Sequence, residues 1–253
     1  MDRNSRGKIE VILRTFLAIS ILFIGISHPI KDSETLIRKM LNKYEGKWYK
    51  TLTFNQQTTR YDVEGNITSD QVWYEAMRLP DQLLIKINDI KGGNGMLFRN
   101  DSLYQFENGE VAGSRPMIHP LLVLGFSVYA QPLEKTISDL NALEFDLSKF
   151  HKREFEGKQY YVVGADAGDE TSNQFWIEKD RLLFTRLIQD FGDGRKQDIR
   201  FNDYQKLVGG WVAAEVLFYS NNELRLKEIY TKIQSPELDQ SIFEISSFVG
   251  AKW

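Results

Sequence analysis

The chain is dominated by short apolar or alternating runs that are separated by turn-forming residues. Examples are Gln71–Leu79, Gln82–Asn88 and Trp211–Tyr219, and the segments between such runs are rich in Gly, Asn, Asp and Pro. Runs of this length with these boundaries are typical of antiparallel strands joined by tight turns. Roughly ten or more of them follow one another, which is enough for a meandering sheet to close or nearly close into a barrel.

Helical periodicity occurs in three places. In Ser33–Tyr44 the apolar residues recur on one helical face, Met117–Tyr129 is almost wholly apolar, and Pro132–Leu143 again has helical spacing. One helix therefore precedes the strands and two are inserted in the middle of the sheet. We predict a mainly β fold, an antiparallel and incompletely closed β-barrel with an N-terminal helix and two inserted lid helices.

A short apolar run, Thr15–Ser27, follows a basic N-terminal stretch that ends at Arg14. This arrangement is typical of a secretory signal peptide, and the run is shorter than the roughly 20 residues that span a bilayer. We predict a signal peptide at 1–27 and a single domain at 28–253, exported to the periplasm or secreted. The alternative is that the leader is retained as a membrane anchor.

The composition excludes several classes of function. The chain contains no cysteine, so disulfides, thiol catalysis and cysteine metal sites are ruled out. The formal net charge is -3, and its positive charge is not clustered in the way that nucleic-acid binding requires. No nucleic-acid partner is therefore expected.

Catalytic chemistry has little support in the sequence. Of the three histidines, His28 lies at the expected cleavage point, His119 precedes a proline as a helix-start residue, and His151 lies in a charged stretch where solvation is expected. The chain has no G-x-S-x-G, no Gly-rich phosphate loop and no H-E-x-x-H. We predict a protein that is not an enzyme and that has no catalytic residues and no cofactor.

Two acidic clusters are the only hints of metal binding. One contains Asp166, Asp169 and Glu170, and the other contains Asp190 and Asp193. Neither has the order of oxygen ligands that a calcium loop requires. Both are better explained as hairpin turns, so no metal site is predicted.

The C-terminal third of the chain resembles a known superfamily. The segments QFWIEKDRLLFTRLIQ, DIRFNDYQKLVGGWVAAEVLFYS and SPELDQSIFEI resemble the outer-membrane lipoprotein carriers, the LolA-like and LolB-like proteins. The matching positions are Trp176, Tyr204, Gly209, Gly210, Leu238, Asp239, Ser241 and Phe243.

The resemblance implies an unclosed antiparallel barrel whose mouth is plugged by helices and whose apolar cavity takes acyl chains. Because the chain has no cysteine to carry a lipid, the implied relative is the carrier rather than the lipid-anchored acceptor. Carriers of this family use an arginine near the cavity to bond with the lid, and Arg60 and Arg78 are the candidates here.

Two segments are candidates for binding an acyl chain. In the strand at 82–88, alternate residues share one face. The apolar segment at 120–129 would form a lid over the cavity, or else a helix that simply fills the barrel core. The predicted ligand-binding residues are Leu83, Ile85, Ile87, Leu121, Leu122, Leu124 and Phe126.

The sequence thus predicts non-enzymatic binding and shuttling of a lipid or lipoprotein acyl group in the periplasm or outside the cell. Envelope membrane proteins are further candidate partners. The alternative is an envelope interaction scaffold of the same fold, with a cavity filled by its own side chains.

Overall fold

The computed structural model describes residues 29–192 and 194–253. The predicted signal peptide and its cleavage point lie outside the described residues. The first element, helix α1, is Ser33–Tyr44, as the periodicity predicts. It begins where the Asp32 side chain accepts a hydrogen bond of 2.7 Å from the Thr35 amide, which caps the helix.

Within the described part of the chain, thirteen antiparallel strands form one continuous sheet. They are β1 (Thr51–Tyr61), β2 (Ile67–Arg78), β3 (Gln82–Ile87), β4 (Gly95–Arg99), β5 (Ser102–Glu107), β6 (Glu110–Pro116), β7 (Phe150–Phe155), β8 (Lys158–Val163), β9 (Gln174–Glu178), β10 (Leu183–Asp190), β11 (Lys196–Leu207), β12 (Gly210–Ser220) and β13 (Glu223–Gln234). The spatial order runs β6-β5-β4-β3-β2-β1-β13-β12-β11-β10-β9-β8-β7.

The sheet is an open barrel, because β6 and β7 are its two ends and, within the described residues, do not pair with each other. At its middle, β1 pairs with both β2 and β13, so that Gln56 lies opposite Trp73 on one side and Tyr230 on the other. The predicted fold class, a mainly β, incompletely closed antiparallel barrel with helices, is confirmed.

The connection between the two edge strands carries the inserted helices. It contains α2 (Pro120–Gly125), a 3₁₀ helix (Ser127–Tyr129) and α3 (Leu133–Ala142). The first of these is shorter than the predicted helix over 117–129. It ends at Phe126, whose φ of -138° leaves the helical region, and the Ser127 hydroxyl then donates to the carbonyl of Leu122 at 3.0 Å.

The helices pack on the concave face of the sheet. Tyr129 is stacked on Trp48 at 4.0 Å between ring centroids, lies edge-on to Tyr44, and accepts a hydrogen bond from the Phe184 amide at 2.9 Å. The buried ring of Tyr129 therefore joins the lid segment, α1 and β10. These contacts fill one side of the barrel with side chains.

A second, smaller core lies on the outer face of β2 to β5. The C-terminal segment crosses this face, and Phe248 stacks on Phe106 with ring centroids 3.7 Å apart. Lys86 is fully buried beside it, with its Nζ 4.0 Å from the Phe248 ring centroid and 2.7 Å from the Gly92 carbonyl. Strands β2 to β5 are consequently buried on both faces. The C-terminal segment supports the part of the barrel wall that these strands form.

Among the helices that the structure describes, none is long and apolar enough to cross a membrane.

Candidate functional site: an apolar cavity under the lid helix

A cavity of about 570 Å³ lies between the concave face of the sheet and helix α2. Ligand pockets in proteins commonly have volumes of roughly 300–1,000 Å³ and mostly apolar walls with a few polar groups. The lining comprises Phe54, Gln56, Trp73, Glu75, Met77, Leu83, Ile85, Met96, Phe98, Leu103, Gln105, Arg115, Met117, His119, Pro120, Leu121, Leu122, Phe126, Leu143, Gln189, Phe191, Gln197, Ile199, Phe201, Phe218, Leu226, Glu228 and Tyr230. The size and chemistry of this cavity suit an extended apolar ligand.

Helix α2 forms one side of the cavity. It begins at Pro120, whose fixed φ suits the first helical position, and the His119 side chain accepts a long hydrogen bond of 3.4 Å from the Leu122 amide. Leu121, Leu122 and Phe126 face the cavity. Since the helix spans just six residues, apolar contacts rather than a long hydrogen-bond ladder hold it in place.

The structure divides the predicted ligand-binding residues into two groups. Leu83, Ile85, Leu121, Leu122 and Phe126 line the cavity. Their part in binding a ligand stays a prediction.

Leu124 and Ile87 lie outside the cavity lining. Leu124 is 1% exposed and belongs to the packed core, because it lies on another side of the short helix than Leu121 and Leu122. Ile87 is half-buried at the end of β3, opposite Trp73, where the strand leaves the cavity wall.

Polar residues that the sequence reasoning did not select also lie in the lining. Glu75 and Glu228 are 5% and 7% exposed, and Gln56 is 2% exposed. The signal was present in the sequence, because Glu75 stands between Trp73 and Met77 at the alternate positions that share one face of a strand. The apolar wall thus contains an acidic patch.

Burial changes the protonation of both glutamates. Removal from water raises the pKa of Glu75 well above its ordinary value, and the nearby Glu228 carboxyl raises it further. Burial likewise raises the pKa of Glu228 to about 7, although the hydrogen bond from Tyr230, the nearby Gln56 amide and the charge of Arg60 oppose the rise. Near neutral pH, the pair therefore carries less than its full charge of two.

The two described histidines differ in their surroundings. His119 lines the cavity, lies edge-on to Phe98, and has its pKa lowered to about 4 by burial, so it is neutral at physiological pH. It caps α2, which agrees with the helix-start position predicted for it. His151 is half-buried, with Nδ1 3.1 Å from the Ala165 carbonyl, and is therefore less solvated than predicted.

Neither predicted lid arginine lines the cavity. Arg60 is exposed near the end of β1, and Arg78 ends β2 opposite Thr51 and Gln82. The arginine at the cavity is instead Arg115, an exposed residue of edge strand β6. A contact of Arg60 or Arg78 with the lid stays a prediction.

The acidic turns are organised by their own hydrogen bonds. Asp169 accepts from the amides and hydroxyls of Thr171 and Ser172, which lowers its pKa. Arg153 pairs with Glu170. Across residues 29–192 and 194–253 there is no cluster of three or more acidic or histidine side chains suited to a metal ion.

Comparison with known proteins places the fold. No known family profile matches the chain. No curated protein matches it either. Among solved structures, a LolA superfamily protein from Nitrosomonas europaea is similar over 85% of this chain and 98% of its own, with a TM-score of 0.54 and 11% identity. A DUF1329 family protein from Desulfovibrio piger is similar over 85% of this chain and 97% of its own, with a TM-score of 0.57 and 13% identity.

The resemblance inferred from the C-terminal third therefore extends to the whole architecture. The chain has the LolA-like fold, an open antiparallel barrel with helices at its mouth. At 11–13% identity, this likeness concerns the fold and not the ligand.

Proposed function

We propose that the protein binds a lipid or the acyl group of a lipoprotein in this cavity and shuttles it between membranes without chemical change. The observation that carries the proposal is the apolar cavity of about 570 Å³ next to a short apolar helix. The LolA-like architecture supports it as well, since the solved relatives include a LolA superfamily protein.

Burial of methylene groups supplies the affinity in this proposal. Each CH₂ removed from water contributes roughly 0.8 kcal/mol, so ten of them contribute roughly 8 kcal/mol before the costs of association. Side chains such as Trp73, Leu83 and Phe201 supply the apolar wall. Net affinity remains only where the buried methylene groups outweigh the cost of association, roughly 4–15 kcal/mol, so the proposal requires most of the acyl chain to lie inside the cavity.

Release depends on the lid in this proposal. Helix α2 is held from beneath by Leu124, and Ser127 donates hydrogen bonds to the carbonyls of Leu122 and Pro80. Leu121 and Phe126 occupy positions that an incoming chain would contact. Ligand and lid thus compete for the same apolar wall, and lid movement gates entry and exit.

The same proposal places the protein in the periplasm or outside the cell, delivered by the leader at 1–27, with residues 28–253 working as one domain. Envelope membrane proteins would donate and receive the ligand. The alternative of a scaffold with a filled interior is less well supported, because the interior contains this cavity.

A cavity-filling substitution tests the proposal. Met96 lines the cavity from β4, and Met96→Trp should fill part of it. We expect the parent to bind a dansyl-labelled fatty acid with micromolar affinity and Met96→Trp to bind it at least tenfold more weakly. Val63→Trp, in an exposed turn, is the matched control and should bind like the parent.

Far-UV circular dichroism establishes that each variant is folded. Failure of the parent to bind any acyl probe, or equal binding by parent and Met96→Trp, would show that the cavity is not the binding site. Mass spectrometry of lipids extracted from the protein purified from its native envelope then identifies the ligand.

A further inference from the structure

Four polar side chains on adjacent strands lie together in the wall of the cavity. Gln56 is on β1, Glu75 is on β2, and Glu228 and Tyr230 are on β13. The strand register brings them close, because Gln56 lies opposite Tyr230 while its neighbour on the same face, Thr58, lies opposite Glu228. Glu75 lies opposite Phe54, which is the neighbour of Gln56 on that face in the other direction along β1. We call Gln56, Glu75, Glu228 and Tyr230 the acidic subsite.

Hydrogen bonds within the acidic subsite leave one group without a partner. Gln56 Nε2 donates to Thr58 Oγ1 at 2.8 Å, and Tyr230 Oη donates to Glu228 Oε2 at 3.0 Å. The Glu75 carboxyl, 95% buried and lining the cavity, makes no hydrogen bond or ion pair with any residue of 29–192 or 194–253. Its carboxyl oxygens are not among the fully enclosed polar atoms of the described residues, so they remain accessible from the cavity and can take a hydrogen-bond partner there.

The neighbouring charges do not supply that interaction. Arg60, on β1, affects Glu228 from an exposed position, and Arg115 lies at the cavity rim on β6. His119 faces the cavity from the lid side and is neutral at physiological pH. A partner for the Glu75 carboxyl therefore comes from inside the cavity, either from water or from a ligand.

We propose that the acidic subsite binds the ammonium group of an amine-bearing amphiphile, whose apolar chain occupies the rest of the cavity. This proposal rests on the proposed function and adds a polar specificity to it. An ammonium group offers up to three hydrogen-bond donors, which matches a set of acceptors formed by two carboxyls and the Gln56 amide oxygen. A carboxylate or phosphate headgroup would instead be repelled by the same two acids.

The protonation of Glu75 and Glu228 makes the affinity for an ammonium ligand depend on pH. Burial and mutual repulsion raise the pKa of both glutamates, and a bound cation would favour their ionised forms. The other titratable or charged groups near them are Tyr230, His119, Arg60 and Arg115. Burial raises the pKa of Tyr230 well above its ordinary value and lowers that of His119 to about 4, so neither changes its charge between pH 6 and 8. Affinity for an ammonium ligand should therefore rise across this range.

Two probes of equal chain length test the subsite. Dodecylammonium and dodecanoate are each used to displace an uncharged naphthylamine dye from the purified protein at pH 6 and pH 8. We expect the parent to prefer dodecylammonium by at least tenfold at pH 8 and by less at pH 6. The preference should disappear in Glu75→Gln and Glu228→Gln, which keep nearly the same shape, and persist in the exposed control Glu237→Gln.

The outcomes separate this inference from the proposed function. Binding of the dye and both amphiphiles without preference, or a preference that survives in both Glu75→Gln and Glu228→Gln, would overturn the acidic subsite and leave the proposed carrier function standing. Failure of the parent to bind the dye and both amphiphiles would overturn both. Because the parent's preference is measured without any substitution, a variant that misfolds does not leave the question open.

Discussion

Replacing Glu228 with Gln isolates the energetic cost of a buried carboxyl in the cavity wall. The pKa of Glu228 is raised to about 7 in the fold, mainly by burial, against an ordinary value of 4.5. A carboxyl whose pKa is raised by folding stabilises the fold fully below the unfolded value, and this contribution is lost as pH rises through the folded value. The parent should therefore lose the Glu228 contribution between about pH 4.5 and pH 8.

The size of this loss follows from the difference between the two pKa values. One unit of pKa corresponds to about 1.4 kcal/mol, so the contribution is on the order of 3 kcal/mol. In a domain of this size, 1 kcal/mol shifts the melting temperature by about 2–4 °C, which gives about 6–12 °C in all. Since Glu228 is 7% exposed, solvent screening reduces this figure little.

The contribution of His119 to folding stability has the opposite pH dependence, so in the parent protein it partly offsets the loss that Glu228 causes. Burial lowers its pKa from 6.5 to about 4, so its contribution to stability is lost as pH falls from about 6.5 to 4. The informative quantity is consequently the difference between Glu228→Gln and the parent at each pH. This difference should be within about 1 kcal/mol at pH 4.5, where glutamine mimics the protonated acid, and about 3 kcal/mol in favour of the variant at pH 8.5.

Urea unfolding followed by tryptophan fluorescence measures this difference from pH 4.5 to 8.5. Glu237→Gln, at an exposed position, is the control and should follow the parent throughout. A difference that stays constant over the whole range would mean that Glu228 titrates as an ordinary surface glutamate. The reasoning about a buried acid pair would then be wrong.

Two further predictions concern the C-terminal segment and the leader. Phe248→Ala should lower the free energy of unfolding by about 3–5 kcal/mol, because it removes the ring that stacks on Phe106. The control Val249→Ala, at a half-exposed position, should lower it by less than about 0.5 kcal/mol. Equal effects of the two substitutions in urea unfolding would refute the role of the outer core. N-terminal sequencing of the native protein should find a chain that starts near His28; intact Met1 in a carbonate-resistant membrane pellet would instead indicate a retained anchor.

The sequence predicted the elements whose burial is one-sided. Helix α1 has its predicted bounds because Leu36, Ile37 and Met40 face the core at helical spacing while the other face is solvated. The strand meander was recognised for the same reason. Periodicity records which face of an element is buried, so it is informative wherever one face packs and the other does not.

The two edge strands did not show this pattern. Strand β6 is exposed along nearly its whole length, and β7 is a charged segment of alternating half-buried and exposed residues. Edge strands in natural proteins are commonly polar, which limits pairing with other chains. The sequence pattern therefore does not predict these two strands, although they define where the barrel is open.

Sequence periodicity also does not reveal that a strand is buried on both faces. In β3, the consecutive residues Leu83, Leu84 and Ile85 are all buried, and Lys86 is fully buried beneath the C-terminal segment. Alternation predicts the strand but not the burial of its outer face, because that face packs against a segment more than 150 residues away in the chain. Nothing in the sequence around Lys86 distinguishes it from a surface lysine, and its burial results from the contact with the C-terminal segment.

The cavity exists because the helices are too short to cover the whole concave face of the sheet. The thirteen strands of the described residues enclose a wide concave face, whereas α2 spans six residues and α3 ten, so the helices fill the side near Tyr129 and leave a cavity against β1 to β5 and β11 to β13. The C-terminal segment supports that wall from outside. Large apolar surfaces that side chains do not fill commonly mark binding sites, so this geometry supports the proposed binding of an apolar ligand.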